Sequence, residues 1–91
     1  MIIKIGRGPK NDIVLDNRTV SREHATLEIT EGRIVVRDLG SKSGTYVAIG
    51  GKIHRATYHE VKENQIIIFG NEQRLVSDLI RHVTEKNREA V

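Results

Sequence analysis

The sequence predicts an all-β fold, an antiparallel β-sandwich of two packed sheets with a short C-terminal helix, and three observations carry that expectation. About eight short β-branched or apolar runs recur at intervals of roughly 8–12 residues, each bounded by Gly, Pro, Asn or Asp, the spacing of a sandwich rather than of a parallel sheet. From His24 to Thr30 the alternation has period two, with Ala25, Leu27 and Ile29 on one face and Thr26, Glu28 and Thr30 on the other, so one face is buried. The period changes only in the tail, where Val76, Leu79, Ile80 and Val83 fall at the spacing of one helical face.

Each element follows in order. Met1 to Ile5 reads as a first strand, stopped by Gly6-Arg7-Gly8-Pro9. Ile13-Val14-Leu15 is a second, short strand between Asx-containing turns. His24 to Thr30 and Arg33 to Asp38 form a hairpin across the two-residue link Glu31-Gly32. The Gly40 to Gly44 loop leads into Thr45 to Ile49, and after Gly50-Gly51 comes a weak strand over 52–57. Residues 58–64 read as a polar connection. Gln65 to Phe69 and Arg74 to Val76 are the last strands, joined through a tight turn at Gly70-Asn71. Ser77 or Asp78 is the expected cap of a helix of roughly 12 residues, which alone would be marginal and so must pack back on the sandwich. The division is a binding domain over 1–77 and a helix or linker over 78–91.

Composition excludes several classes. With 91 residues the chain holds one core and no more. The absence of cysteine removes disulfide and thiolate chemistry and favours a reducing compartment. Met1-Ile2-Ile3 gives way at once to Lys4, leaving no secretory apolar stretch, and the longest apolar run, Ile66 to Phe69, is far short of a bilayer. The expectation is a cytoplasmic domain without membrane insertion. A net charge of +3 favours an anionic partner, yet the basic residues are scattered and the only aromatics are Tyr46, Tyr58 and Phe69, too few for base stacking on single strands.

Three segments at strand ends carry the groups an anion would need. Val20-Ser21-Arg22-Glu23-His24 gathers a hydroxyl, a guanidinium and an imidazole; Ile5-Gly6-Arg7 adds a second guanidinium; Leu39-Gly40-Ser41-Lys42-Ser43-Gly44-Thr45 adds an ammonium and small hydroxyls. Glycines flank these groups and let the backbone approach a ligand closely. An oxyanion with several oxygens, such as phosphate, suits an Arg fork, a Lys point charge and serine hydroxyls together.

In this order and spacing, Ile5-Gly6-Arg7, Asn11-Asp12-Ile13-Val14-Leu15, Ser21-Arg22-Glu23-His24-Ala25 and Asp38 to Thr45 resemble the forkhead-associated (FHA) domain, a phosphothreonine-binding β-sandwich family. The resemblance covers roughly residues 2–76. It implies that loops at one end of two antiparallel sheets bind a phosphothreonine-containing protein or peptide. It further implies that Arg7 contacts the phosphate, that Ser21 donates its hydroxyl to it, that Arg22 lies beside the peptide and that Lys42 offers a further phosphate contact. His24 is then structural, bracing the Ser21 loop, with Gly6 and Gly44 serving backbone geometry. Two positions depart from the family pattern. Ser43 stands where an Asn usually grips the peptide backbone, and Val47-Ala48-Ile49-Gly50-Gly51 replaces a common Val-Asn-Gly. Ser43 is shorter and lacks the paired amide donor and acceptor, so its grip on the peptide is expected to be weaker or water-bridged.

Rival chemistries find less support. Ser21 and His24 as nucleophile and base lack an orienting acid and an oxyanion hole, so no catalytic residues are assigned. Gly6-Arg7-Gly8 lacks the third glycine of a dinucleotide loop, no Gly-Lys-Ser/Thr phosphate loop exists, and no cofactor is implied. His24, His54, His59 and His82 lie scattered, without metal-ligand spacing. Nucleic-acid binding by Lys4, Lys10, Arg18, Lys52 and Arg55 is the lesser rival, and a phosphate-independent assembly module of the same fold, motivated by Ser43 and Ala48, is the stronger one.

Overall fold

The computed structural model describes residues 1–89. Nine strands and one helix follow in chain order: β1 (Ile2–Gly6), β2 (Ile13–Val14), β3 (Ala25–Thr30), β4 (Arg33–Asp38), β5 (Thr45–Ile49), β6 (Lys52–Arg55), β7 (Tyr58–Val61), β8 (Ile66–Phe69), β9 (Glu72–Leu75) and α1 (Val76–Glu89). They build a five-stranded sheet, β2-β1-β3-β4-β7, and a four-stranded sheet, β6-β5-β8-β9. The expected sandwich is therefore present.

Side-chain alternation decides which residues fill the space between the sheets. Ile3, Ile5, Ala25, Leu27 and Val36 of the first sheet meet Val47, Ile67 and Phe69 of the second in one buried cluster. The neighbours of Ile3 in sequence point the other way, and Ile2 is 63% exposed. Fully burying a side chain such as Leu27 is worth about 1.5–3 kcal/mol, so this two-layer core carries the fold. Hairpin turns set the register. Thr30 pairs with Arg33 around Glu31 and Gly32, whose φ angles are 50° and 78°, and Ile49 pairs with Lys52 around Gly50 and Gly51 at 56° and 78°. Two successive positive φ values give a turn whose twist matches that of the strands.

Three elements differ from expectation. β2 runs parallel to β1, with Ile5 opposite Ile13, while every other described pairing is antiparallel. The intervening loop carries the chain back alongside the last two residues of β1, Ile5 and Gly6, before β2 begins. Tyr58–Val61, expected within a polar connection, is a strand paired with β4. Only His59 and Val61 of it turn inward, while Tyr58 lies outside beneath the Arg37 guanidinium at 4.5 Å, so one inward aliphatic residue left no apolar signature. The helix begins at Val76, ahead of the expected caps Ser77 and Asp78. Its first amides donate elsewhere: the Val76 N–H to the Gln65 carbonyl at 2.9 Å and the Ser77 N–H to the Glu63 carbonyl at 3.0 Å. Val76 and Leu79 are buried in the core, and Ile80 and Val83 pack against it, so the helix docks by the face the sequence marks. It lies against β9 and β2, an edge strand of each sheet. Residues 90 and 91, assigned with the tail, lie outside the described residues. No helix among the described residues is long and apolar enough to cross a membrane.

Candidate binding site

The three loops singled out in the sequence meet at one end of the sandwich, because each leaves a strand at that end. Backbone hydrogen bonds stitch the first two together: the Arg7 N–H donates to the Ser21 carbonyl at 2.9 Å, and the Gly8 N–H to the Arg22 carbonyl at 3.1 Å. Asn11 clamps the same seam, its side-chain amide donating to the carbonyls of Gly8 at 2.8 Å and Arg22 at 2.7 Å. Gly6 is required here by space. A Cβ at that position would overlap the Arg22 carbonyl oxygen and sit 2.9 Å from the Asn11 amide nitrogen.

Arg7 is exposed and anchored at its inner nitrogen, the Nε–H donating to the Val20 carbonyl at 3.0 Å. Its two terminal nitrogens have no protein partner among the described residues, which leaves the outer half of the fork available to an oxyanion. Ser21 is held on three sides. Its carbonyl takes the Arg7 amide, its N–H donates to His24 Nδ1 at 2.9 Å, and its Oγ accepts the Lys42 N–H at 3.1 Å. With that lone pair used, the Ser21 O–H is free to donate.

His24 explains why this loop holds its shape. The side chain is fully buried and stands edge-on to Phe69, ring centroids 5.8 Å apart and planes at 86°. Since Ser21 N–H can only donate, Nδ1 is an acceptor and the proton sits on Nε2, which donates to the Gly44 carbonyl at 2.9 Å. Burial depresses the pKa of His24, against an opposite pull from the Gly44 carbonyl and Asp38. Both ring nitrogens are committed to the backbone, so this imidazole is occupied as a brace.

The third loop is organised by Asp38. One carboxylate oxygen accepts the amides of Gly40 at 2.9 Å and Ser41 at 3.0 Å; the other accepts the hydroxyls of Thr45 at 2.7 Å and of Ser41. Burial raises its pKa, but the Ser41 and Thr45 hydroxyls with the Ser41 and Gly40 amides outweigh that, and the net direction is down. Ser41 passes the order on, accepting the Gly44 N–H at 3.1 Å. Gly44 has φ 88°, and a Cβ there would meet the Tyr46 hydroxyl at 2.8 Å. Lys42 and Ser43 are thereby presented at the exposed tip, where the Ser43 carbonyl accepts the Tyr46 hydroxyl at 3.2 Å and its own hydroxyl has no partner among the described residues.

A further network escapes sequence reasoning. Asn17 and Thr19, in the loop that carries Ser21, bond to Asn71 in the β8–β9 turn: Asn17 Nδ2 to Asn71 Oδ1 at 2.7 Å, and the Asn71 N–H to Thr19 Oγ1 at 3.0 Å. These partners lie 54 and 52 residues apart, so no local pattern announces them. Gly70, at φ 64°, packs its Cα against the Thr19 carbonyl and hydroxyl, and its N–H donates to the Gly44 carbonyl at 2.9 Å.

Electrostatically the end is cationic. Arg7, Arg22 and Lys42 are exposed and take part in none of the ion pairs among the described residues, which sit at Arg33–Glu60, Arg37–Glu28, Arg74–Glu72 and Arg81–Asp78. The described residues contain no His, Asp or Glu cluster fit to hold a metal ion. What the arrangement offers is a set of hydrogen-bond donors fixed by the buried His24 ring and the Asp38 carboxylate.

Comparison with known proteins agrees with this geometry. Residues 3–70 match the family model described as FHA domain. The oxoglutarate dehydrogenase inhibitor of Corynebacterium glutamicum is 57% identical over 42 residues, covering 46% of this chain and 29% of that protein. The FHA-2 domain of the Mycobacterium tuberculosis ABC transporter Rv1747 is 35% identical with a TM-score of 0.67, covering 79% of this chain and 63% of that one. Mycobacterium tuberculosis EmbR, solved in complex with a low affinity phosphopeptide, is 30% identical with a TM-score of 0.69, covering 79% of this chain and 18% of that one. The chain spans under a third of the curated inhibitors it matches. Because the matched span takes in all nine strands but the last, and with them all three loops, the chain belongs to the FHA domain family.

Proposed function

We propose that this domain is a phosphothreonine-dependent protein-binding module, a signalling adaptor that docks phosphorylated segments of partner proteins and carries out no catalysis. FHA domains are non-catalytic binding modules, and several of the relatives are named inhibitors or regulators. One observation carries the reading: the backbone of Arg7 is bonded to Ser21 and that of Lys42 to the Ser21 hydroxyl oxygen, while the outer guanidinium nitrogens, the Ser21 O–H and the Lys42 ammonium stay available. In this reading Arg7 and Ser21 take the phosphate, Lys42 adds a contact, and Arg22 and Ser43 border the peptide. The setting is the cytoplasm, where protein kinases supply the modification.

Magnitudes favour a phosphate over its mimics. A phosphothreonine brings close to two charges and three acceptor oxygens. Charge-assisted hydrogen bonds contribute about 1.5–3 kcal/mol each, so three or four of them sum to about 5–12 kcal/mol; with the cost of association set against them, the upper end of that range reaches the roughly 8 kcal/mol of a micromolar dissociation constant. Glutamate offers one charge on a flat group and should bind poorly.

The test is a titration of matched phosphothreonine and threonine peptides from an oriented library against the wild type and Arg7→Ala. Micromolar binding of the phosphorylated peptides alone, weakened roughly 100-fold or more by the substitution, is the expected result, two charge-assisted bonds being lost at about 1.5 kcal/mol or more each. Equal binding by both proteins, or indifference to removal of the phosphate, would reject the reading in favour of a phosphate-independent assembly module. Ser43, with its hydroxyl unengaged at the loop tip, is the feature that favours that second reading.

A further inference from the structure

A groove of about 500 Å³ opens beside the loops already described, and of its walls only Arg22 has been given a part in binding. One wall is the Gly8–Asn11 turn, which continues from Arg7; the other is Arg22 and Glu23, which continue from Ser21; Lys4 of β1 closes the end. The groove is thus built from the two segments that hold the anion site and begins one residue beyond each. Its shape is fixed, because the Asn11 amide bonds to both walls, at Gly8 and Arg22. Pro9 adds an apolar, conformationally locked surface.

Its charge is unbalanced. Lys4, Lys10 and Arg22 contribute three cations to the lining, and none of them is in an ion pair among the described residues. Against them stand Glu23 in the lining and Asp12 just outside, whose carboxylate is bonded to the Lys4 N–H at 2.8 Å. The excess remains positive. A long side chain with an apolar stem and an anionic end matches an apolar-walled groove with cations around it.

We infer that this groove is a second specificity pocket that takes an acidic side chain, glutamate best, of the same peptide whose phosphothreonine occupies the Arg7–Ser21 site. The inference rests on the phosphothreonine reading. An extended peptide advances about 3.3 Å per residue, so only one or two positions along it can present a side chain to the groove. Lys4 and Lys10 are the residues that select it; neither belongs to the phosphate site.

The experiment walks a single glutamate through an otherwise alanine-flanked phosphothreonine peptide, from the fourth residue before to the fourth after, and measures affinity by calorimetry. The proteins are the wild type, the double variant Lys4→Gln/Lys10→Gln, and the control Lys52→Gln/Lys62→Gln, which removes the same charge elsewhere. Expected is a gain of about fivefold at one or two positions, the size of a partly exposed ion pair. The double variant should lose that gain and the control keep it, while affinity for the all-alanine phosphopeptide stays within twofold in all three proteins. A gain equal at every position, or one that survives the double variant, would mean general attraction and overturn the pocket. If no peptide in the series binds, with or without glutamate, the phosphothreonine reading itself fails and takes the pocket with it.

Discussion

The buried imidazole of His24 donates from Nε2 to the carbonyl of Gly44 at 2.9 Å and, through Nδ1, accepts the amide of Ser21, so one ring couples two loops that are distant in sequence. Replacing it with a ring of similar shape separates packing from polarity. His24→Phe keeps the contact with Phe69 but strands the Ser21 N–H, while the Gly44 carbonyl still has the Gly70 amide. The expected cost is about 1–3 kcal/mol, the penalty of one buried unsatisfied donor, read from the urea midpoint at unchanged slope. Phosphopeptide affinity should fall with it.

Acidification should act through the same ring. Burial holds the His24 pKa below its ordinary value of 6.5, so folding favours the neutral form. Its contribution is fully present above 6.5 and is lost as pH falls from there through the lower folded-state value. Protonation of Nδ1 also removes the acceptor of the Ser21 amide. Asp38, whose pKa is lowered below 3.8, gives way only at more acid pH. Thermal melts without ligand between pH 7.5 and 4.5 should show a fall beginning near 6.5, absent in His24→Phe. Measuring without ligand matters, because a phosphothreonine titrates near pH 6 on its own account.

Gly6 and Gly8 make a matched pair. A methyl at Gly6 would overlap the Arg22 carbonyl, whereas one at Gly8 would lie 3.2 Å from the same oxygen. Gly6→Ala should therefore force the two loops apart, costing about 2 kcal/mol or more and most of the phosphopeptide affinity; Gly8→Ala should cost under about 1 kcal/mol. Comparable losses in the two variants would show that the seam is softer than its hydrogen bonds indicate.

Thr19→Val tests the link between the Ser21 loop and the β8–β9 turn. The substitution keeps the shape and removes the hydroxyl that donates to Asn17 at 2.7 Å and accepts the Asn71 amide. Stability should fall by about 1 kcal/mol, the net worth of such bonds in a partly buried site. The effect on phosphopeptide binding should appear in dissociation rather than association, since the loop is loosened while the charges that guide encounter are untouched. Stopped-flow kinetics would separate the two rates.

How much of this was legible in the sequence follows from how local each determinant is. The Glu31-Gly32 turn, the β3 alternation and the α1 face are written in neighbouring residues, and each forms as read. β7 was not legible, because its partner β4 supplies the aliphatic residues and Tyr58 is held from outside by Arg37. The start of α1 was missed for a similar reason: Glu63 and Gln65 accept its first amides, so no side-chain cap is needed at Ser77 or Asp78. At the site, Arg7, Ser21, His24, Lys42 and Gly44 do come together as one hydrogen-bonded unit. Asn11, read in the sequence as a turn former and as part of one family block but given no role in the site, is the clamp of the first seam, and Asn17 and Asn71 find each other only after both sheets have formed.

The two ends of the sandwich are consequently unequal. At the ligand end, Asn71 and Gly44 of one sheet are bolted to Thr19 and His24 of the other, whereas at the far end the hairpin tips stand clear, with open space around Gly32, Gly50 and Gly51. Those tips are where a fluorophore or an inserted epitope can be carried without disturbing recognition. Amide exchange should grade along the molecule in the same sense, fastest at the bare tips and slowest where the two layers are joined.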